Sequence, residues 1–317
     1  MAPILVLGEA LVDRLPSGRV AGGAPFNVAR SLAGLGVPVH LVSRIGRQPG
    51  MPDGVADEEG AMVLASARHF GLSEAGLQFD AAHATGAVTV HSLAAADNGD
   101  DDDNEGIAAG HRFEIHANAA WDYLDAAQAV HSLPAAGAQV VYFGTLAQRH
   151  PQAREAIRAV LERTSALRYL DLNLRAPFAT RDLVAESLAR ADWLKVNDEE
   201  LAILLAWFAP TVADLMQQFN LQRLILTRGE NGWASYNVLG QCELTGPASP
   251  VQQLVDTVGA GDAFSAMLLA CHSLGIPLKA ALPMAAGYAA QMCEHSGPMA
   301  HAPAFFEPWL RALRSPL

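Results

Sequence analysis

Residues 257–264 read TVGAGDAF, and positions 259–262 within them are Gly-Ala-Gly-Asp. A stretch with apolar residues at helical spacing follows, to about Leu274, and Gly275 and Pro277 end it. The unpaired amides at a helix start carry the equivalent of roughly +0.5 charge and point outward, and glycines let an anion approach them. Such a turn, Gly259, Ala260 and Gly261, suits a phosphoryl group that gains negative charge as it moves. A carboxylate in the same turn, Asp262, stands on the acceptor side, where it can take a proton from an attacking hydroxyl. Carboxylate and phosphate repel, and the amides with a magnesium ion would offset that repulsion. The other reading of Asp262 is an ordinary helix-start capping residue. Asp256, six residues upstream, either belongs to the same site or ends a strand.

The elements that must position this turn alternate along the chain. ILVLG (4–8) is a continuous apolar run, as expected of a strand covered on both faces. GGAPFNVARSLAGLG (22–36) is a glycine turn followed by a helix that stops at Gly36, and VHLVSRIG is the next strand. Further strands are expected at 140–144, 167–173, 193–197 and 223–229, with helices between them such as PQAREAIRAVLERT and DLVAESLARA. The fold class is therefore α/β: a central, mostly parallel sheet with helices on both faces. One region breaks the rhythm. Residues 85–94 and 106–118 both look extended, which predicts an antiparallel ribbon, and AADNGDDDDNE (95–105) forms its acidic tip. That tip reads as a solvated loop, because it lacks a glycine and a distal glutamate at the fixed positions of a calcium loop.

Composition narrows the function. Of 317 residues, 51% are hydrophobic and 17% charged, enough to bury a large core, and one α/β domain over 1–317 is the expectation. The formal net charge is -12, which repels nucleic acid and anionic lipid; neither is an expected partner. It also repels nucleotides, so an anion site here needs local compensation. Cys242, Cys271 and Cys293 are far apart and not in CxxC spacing, which fits a reducing, cytoplasmic setting. The opening residues read as a first strand and not as a signal peptide, and no membrane span is expected. There is no GxxxxGK[ST] loop, and Phe264 stands where a dinucleotide fingerprint has its third glycine, so an oxidoreductase is disfavoured.

Taken together, DTVGAGDAF (256–264), GGAPFNVARSLAGLG, DLNLR (171–175), KVNDEE (195–200) and LTRGENG (226–232) stand in the order and spacing of the ribokinase-like (PfkB-type) carbohydrate kinases, which the chain resembles over essentially its whole length. The resemblance implies a small β-sheet lid closing over the sugar, drawn from about 10–22 and 85–116. It implies Asp262 as general base, with the amides of Gly259, Ala260 and Gly261 as the anion hole. Asp13, Gly23 and Asn27 match positions that hold sugar hydroxyls, and Arg175 is implied as a cation near substrate or phosphate, against an ordinary surface ion pair. Asn197 and Glu200 resemble the pair that organises hydrated Mg²⁺ and the phosphates; read without the family, they form a capping box. Thr227, Gly229 and Gly232 resemble the nucleotide-binding turn, and backbone oxygens at Asp256 and Thr257 resemble a K⁺ site.

ATP, Mg²⁺ and K⁺ are thus the implied cofactors, a small sugar the partner, and a homodimer through the lid an implied assembly. GGAPFNVA and EIHANAAWDYL look most like fructokinases. Other sugars and sugar acids (ribose, tagatose, 2-keto-3-deoxygluconate), adenosine, and a silent sugar or nucleotide sensor remain alternatives. Two departures stand out. Gly287 and Tyr288 occupy the neighbourhood where relatives carry an adenine-pocket asparagine, so Tyr288 is expected to pack rather than stack. Residues 46–72 are also longer and looser than the usual GDDxxG passage.

Overall fold

A computed structural model describes residues 1–16, 18–52, 54–92, 107–108 and 111–314; the acidic tip lies outside them. The strands in chain order are β1 (Ile4–Leu7), β2 (Leu11–Leu15), β3 (Gly18–Gly22), β4 (Val39–Gly46), β5 (Leu77–Asp80), β6 (Gly86–Ser92), β7 (Ile107–Ala108), β8 (His111–Ile115), β9 (Val140–Gly144), β10 (Leu167–Asp171), β11 (Trp193–Asn197), β12 (Arg223–Thr227), β13 (Trp233–Tyr236) and β14 (Cys242–Gly246). The helices are α1 (Ala24–Gly34), α2 (Glu58–His69), α3 (Ala126–His131), α4 (Pro151–Arg163), α5 (Arg181–Leu188), α6 (Asp198–Phe208), α7 (Val212–Gln218), α8 (Ala260–Ser273), α9 (Leu278–Met292) and α10 (Pro303–Arg314).

Nine strands form one sheet in the order β14-β13-β12-β11-β10-β9-β1-β4-β5. It is parallel from β5 to β12, and β13 and β14 fold back antiparallel at the far edge. The expected strands and helices stand where their periodicity puts them. Apolar runs such as Ile4–Leu7 and Val140–Gly144 are buried throughout because each face meets a layer of helices. Ile4, Val6, Tyr142 and Tyr169 face a core shared with α1, α2, α8, α9 and α10, while Leu5, Leu7, Val141 and Leu170 face one shared with α4 to α7. Each buried leucine or phenylalanine contributes on the order of 2 kcal/mol.

The chain leaves β1 towards β4 on one side and later enters β9 on the other, so the sheet order reverses at β1. Ligands of open α/β sheets bind beyond the carboxyl ends of the strands at such a reversal. A second sheet stands at that end, in the order β3-β2-β6-β8-β7, so the segments about 10–22 and 85–116 do meet. The ribbon β6/β8 is antiparallel, and β2 joins it in parallel. Arg14 and Arg19 of this small sheet reach Glu59 at 2.7 Å and Glu58 at 2.5 Å on α2.

The passage before α2 is ordered by one side chain. Asp57 accepts from the Gly60 amide at 2.7 Å and from both the amide and hydroxyl of Thr85 at 2.8 and 2.6 Å. A β-carbon on Gly60 would sit 2.8 Å from the Thr85 hydroxyl. Asp57-x-x-Gly60 was therefore the legible signal in this passage, hidden by the residues inserted before it.

Candidate active site

The ends of β1, β10, β11 and β12 and the starts of α1, α6 and α8 supply the candidate residues. The turn before α8 comes first. Gly259 is the residue before the helix, at φ +81, and makes no side-chain cap. A β-carbon there would lie 2.7 Å from the Pro298 carbonyl oxygen, so both conformation and space demand glycine. Helix geometry leaves the amides of Gly261 and Asp262 without intrahelical acceptors. The Ala260 amide, expected in the anion hole, donates to the Thr257 carbonyl at 3.2 Å. The open part of the cradle is thus centred on Gly261 and Asp262.

Asp262 is partly exposed, at the surface of the recess and not turned into the core. Burial within the recess pushes its carboxyl up to about 6; a hydrogen bond from Asn27 opposes this, Asp171 adds to it, and Lys195 and Arg175 oppose it. Asn27 Nδ2 donates to Asp262 Oδ2 at 2.8 Å. Asn27, expected against a sugar hydroxyl, is therefore also a direct partner of the candidate base.

Asp13, on β2, is raised to about 6 by burial, with Arg30 opposing and Asp262 reinforcing. Its carboxylate packs on Gly22, where a β-carbon would be 2.0 Å from Oδ2. Gly23, at φ +102, has the Glu9 carbonyl 2.7 Å from the position of a β-carbon. The paired glycines thus make the strand-to-helix turn and hold it tight against two acidic residues. Arg175 is exposed, donates to the Leu174 carbonyl at 3.2 Å, and lies near enough to pull Glu9, Asp13 and Asp262 downward. Among the described residues no side-chain ion pair involves Arg175.

At the start of α6, Asn197 Oδ1 accepts from the Glu200 amide at 2.8 Å and Glu200 Oε2 accepts from the Asn197 amide at 2.9 Å. Glu200 Oε1 accepts from the Leu174 amide at 2.8 Å. The capping box is thus formed, and Glu200 is only 7% exposed. Its oxygens keep second lone pairs, a donor set suited to a hydrated magnesium ion met through water rather than to direct ligation. Asn197 pairs in register with Thr227 on β12. Beside Gly229 (φ +50) the space is open, whereas a β-carbon on Gly232 would lie 2.1 Å from the Gly246 carbonyl. Gly232 therefore packs against the strand ladder of β13 and β14, and Gly229 faces free space.

Asp256 Oδ1 accepts from the Val258 amide at 2.9 Å and Oδ2 from the Gly297 amide at 3.0 Å. Its side chain pins the loop before the turn, so a monovalent cation here would be held by carbonyl oxygens, for which the Thr257 carbonyl keeps one lone pair beside its bond to Ala260. Among the described residues no group of three or more His, Cys, Asp or Glu could hold a metal ion. Tyr288 is buried and packs on Phe305 and Trp309. A β-carbon on Gly287 would meet the Trp309 ring at 2.9 Å.

Five residues of the site, Lys195, Asp171, Ser265, Glu9 and Arg30, were not singled out from sequence. Lys195, buried in β11, donates to Asp171 at 3.0 and 3.2 Å, and Ser265 on α8 donates to Asp171 Oδ2 at 2.8 Å. Burial alone would lower the lysine, but Asp171, Glu200 and Asp262 outweigh it and raise it. Its ammonium lies 2.9 Å from where a β-carbon on Gly261 would sit, directly under the cradle. A lysine inside the apolar strand WLKVN was the available signal. Glu9 is 3% exposed, is raised to about 7 chiefly by burial, and has one oxygen without a partner among the described residues. Arg30 is fully buried on α1. A separate cavity of about 210 Å³, lined by Trp193, Arg223 and His272 among others, lies at the opposite strand ends and holds none of these groups.

An open parallel sheet, a reversal point and an uncapped helix start beside a carboxylate thus stand together at one end of the strands. Residues 17–304 match the model of the pfkB family carbohydrate kinases, and the chain belongs to that family. It is a sugar kinase, a phosphotransferase with an alcohol group as acceptor. It is 31% identical over 290 residues to a fructokinase of Klebsiella pneumoniae, covering 86% of each chain. The fold is similar to that of aminoimidazole riboside kinase from Salmonella enterica complexed with aminoimidazole riboside and an ATP analog (TM-score 0.74, 22% identity, 99% of this chain and 100% of that one). It is likewise similar to a double mutant of fructokinase from Vibrio cholerae O395 in a fructose, ADP and potassium ion bound form (TM-score 0.74, 21% identity, 99% and 98%). No helix among the described residues is long and apolar enough to cross a membrane.

Proposed function

We propose that this kinase transfers the γ-phosphate of ATP to a primary hydroxyl of a small sugar, fructose first, with Asp262 as general base. The observation that carries the reading is the pairing of a carboxylate raised to about 6 with open amides at the start of α8 and a buried ammonium beneath them. A base of that pKa is ionised at neutral pH and still accepts a proton readily, which general-base catalysis requires. The amides of Gly261 and Asp262, with Lys195 behind them, are oriented before the reaction towards charge that develops on the moving phosphoryl group. Asp13 and the Gly22–Gly23 turn hold the sugar, Arg175 steadies its far side or the phosphate, and the small sheet closes over both as a lid.

Thr227 and Gly229 line the nucleotide side. Asn197 and Glu200 would hold hydrated Mg²⁺ through water, and the carbonyls at Asp256 and Thr257 a potassium ion; the magnesium supplies neutralisation of phosphate charge. The fructokinase relative, the ligands in the fructokinase structure and the GGAPFNVA turn support fructose as the acceptor. The guanidinium of Arg175, without an ion pair among the described residues, favours a second reading, a sugar acid whose carboxylate it would meet.

The test is ADP release by the purified protein with Mg-ATP and fructose, tagatose, ribose, 2-keto-3-deoxygluconate or adenosine. Fructose is expected to give the highest kcat/KM. A clear preference for the sugar acid replaces fructose, and silence across the panel with sugar still bound points to a sensor.

A further inference from the structure

Arg30 donates Nη2 to Asn27 Oδ1 at 2.5 Å and to the Ala21 carbonyl of β3 at 2.8 Å, while Nη1 donates to Ser66 on α2 at 3.0 Å. It lies 4.4 Å over the Phe26 ring and is fully buried, so it has no freedom to move away. A guanidinium only donates hydrogen bonds. The asparagine must therefore turn its oxygen towards Arg30, and its other end, Nδ2, is left facing Asp262 at 2.8 Å. Without Arg30 the amide could rotate and present its oxygen to the carboxylate.

We infer that Arg30 is a positioning residue: by fixing the orientation of the Asn27 amide it holds a hydrogen-bond donor on Asp262 and keeps the base ionised and aimed. The same guanidinium grips the β3 backbone, so the small sheet, the amide and the base share one chain of hydrogen bonds. The inference rests on the reading of Asp262 as the base.

The groups that face Asp262 set its charge balance: Glu9 beyond β1, Asp13 on β2, Tyr142 on β9, Asp171 on β10, Lys195 on β11, Arg175 in the loop after β10, and Arg30 itself. Among them the Asn27 bond is the largest influence opposing burial. A hydrogen bond to an ionised group strengthens its charged form, so losing this one raises the carboxyl's titration midpoint by about one unit.

The test is the titration of aspartate-selective ¹³Cγ-labelled full-length protein without ligands, with the Asp262 signal assigned by its loss in Asp262→Asn. Arg30→Met and Asn27→Leu each raise the midpoint by about one unit, and the double variant goes no higher than either one. If the two effects add, Arg30 acts by its charge alone and the inference is overturned; an unmoved midpoint in Arg30→Met overturns it as well. Should the methionine variant not fold, Arg30→Lys, still a donor-only head, keeps the midpoint within about 0.3 unit of the parent. A rise in Arg30→Lys as large as that of Asn27→Leu overturns the inference. Full turnover by Asp262→Asn would sink the base reading, while the titration still decides the relay.

Discussion

The starts of α6 and α8 lie at the same end of the sheet, carry acidic residues in their first turns, and differ in how their amides are met. At α6 the amides of Asn197 and Glu200 are answered from within, by the closed box between the two residues. At α8 the position before the helix is a glycine in the left-handed region with no side chain to cap it, and Asp262 points to Asn27 instead of back to its own backbone. One start is closed by its own side chains. The other keeps donors free, at the cost of a less stable helix end, and in the proposed function they meet an anion that arrives from outside. The same residue types therefore yield a closed cap or an open turn according to what else can reach the amides, and the open turn is the one proposed for catalysis.

The largest break in that contrast is Asp262→Asn, which should lower kcat by about 10²–10⁴-fold while sugar and nucleotide dissociation constants stay within a few fold. Turnover at the parent rate would demote Asp262 to a cap. Gly261→Val comes next: its side chain would meet the Lys195 ammonium and fill the cradle, raising nucleotide KM by about tenfold or more while sugar affinity changes little. Equal losses for both substrates would mean the cradle is not where phosphate sits.

The third test is pH. Because the folded value of Asp262 is about 6, raised by burial, the base is lost by protonation on the acid side. The parent's kcat/KM should then fall about tenfold per unit below pH 6, and a flat profile down to pH 5 would detach the limb from this carboxylate. The mildest tests concern α6. Glu200→Ala leaves the amides of Leu174 and Asn197 without their acceptor and should cost about 2 kcal/mol of stability, and Asn197→Ala about 1 kcal/mol. Unchanged melting temperatures with a shifted Mg²⁺ dependence would turn that box from a cap into a metal-organising pair.

Much of the frame was legible before any coordinates. Apolar runs of four or five residues between helical periods are buried parallel strands because only two-sided burial tolerates them, and β1 and β9 follow that rule. Gly259 and Gly23 announced turns, and both prove to need positive φ and close backbone approach. Less legible were the partnerships. Asn197 and Glu200 carry the same signal whether they cap a helix or steady a metal. Arg30 looks like any polar residue on a helix, and its buried contacts with Ala21, Asn27 and Ser66 come from three separate segments. Gly232, expected at the nucleotide, is explained by the neighbouring strand ladder instead.

By itself the sequence determined the layered α/β frame and the existence of a glycine turn with a carboxylate at a helix start, because periodicity, turn chemistry and helix-end electrostatics are local and act between near neighbours. Only the tertiary structure decided which side chains answer that carboxylate. Asn27 stands 235 positions away along the chain, and Lys195 comes to lie under Gly261 through the packing of α8 on the sheet. Hydrogen-bond partnership and charge coupling depend on distances of a few ångströms in space, and no spacing along the chain encodes them.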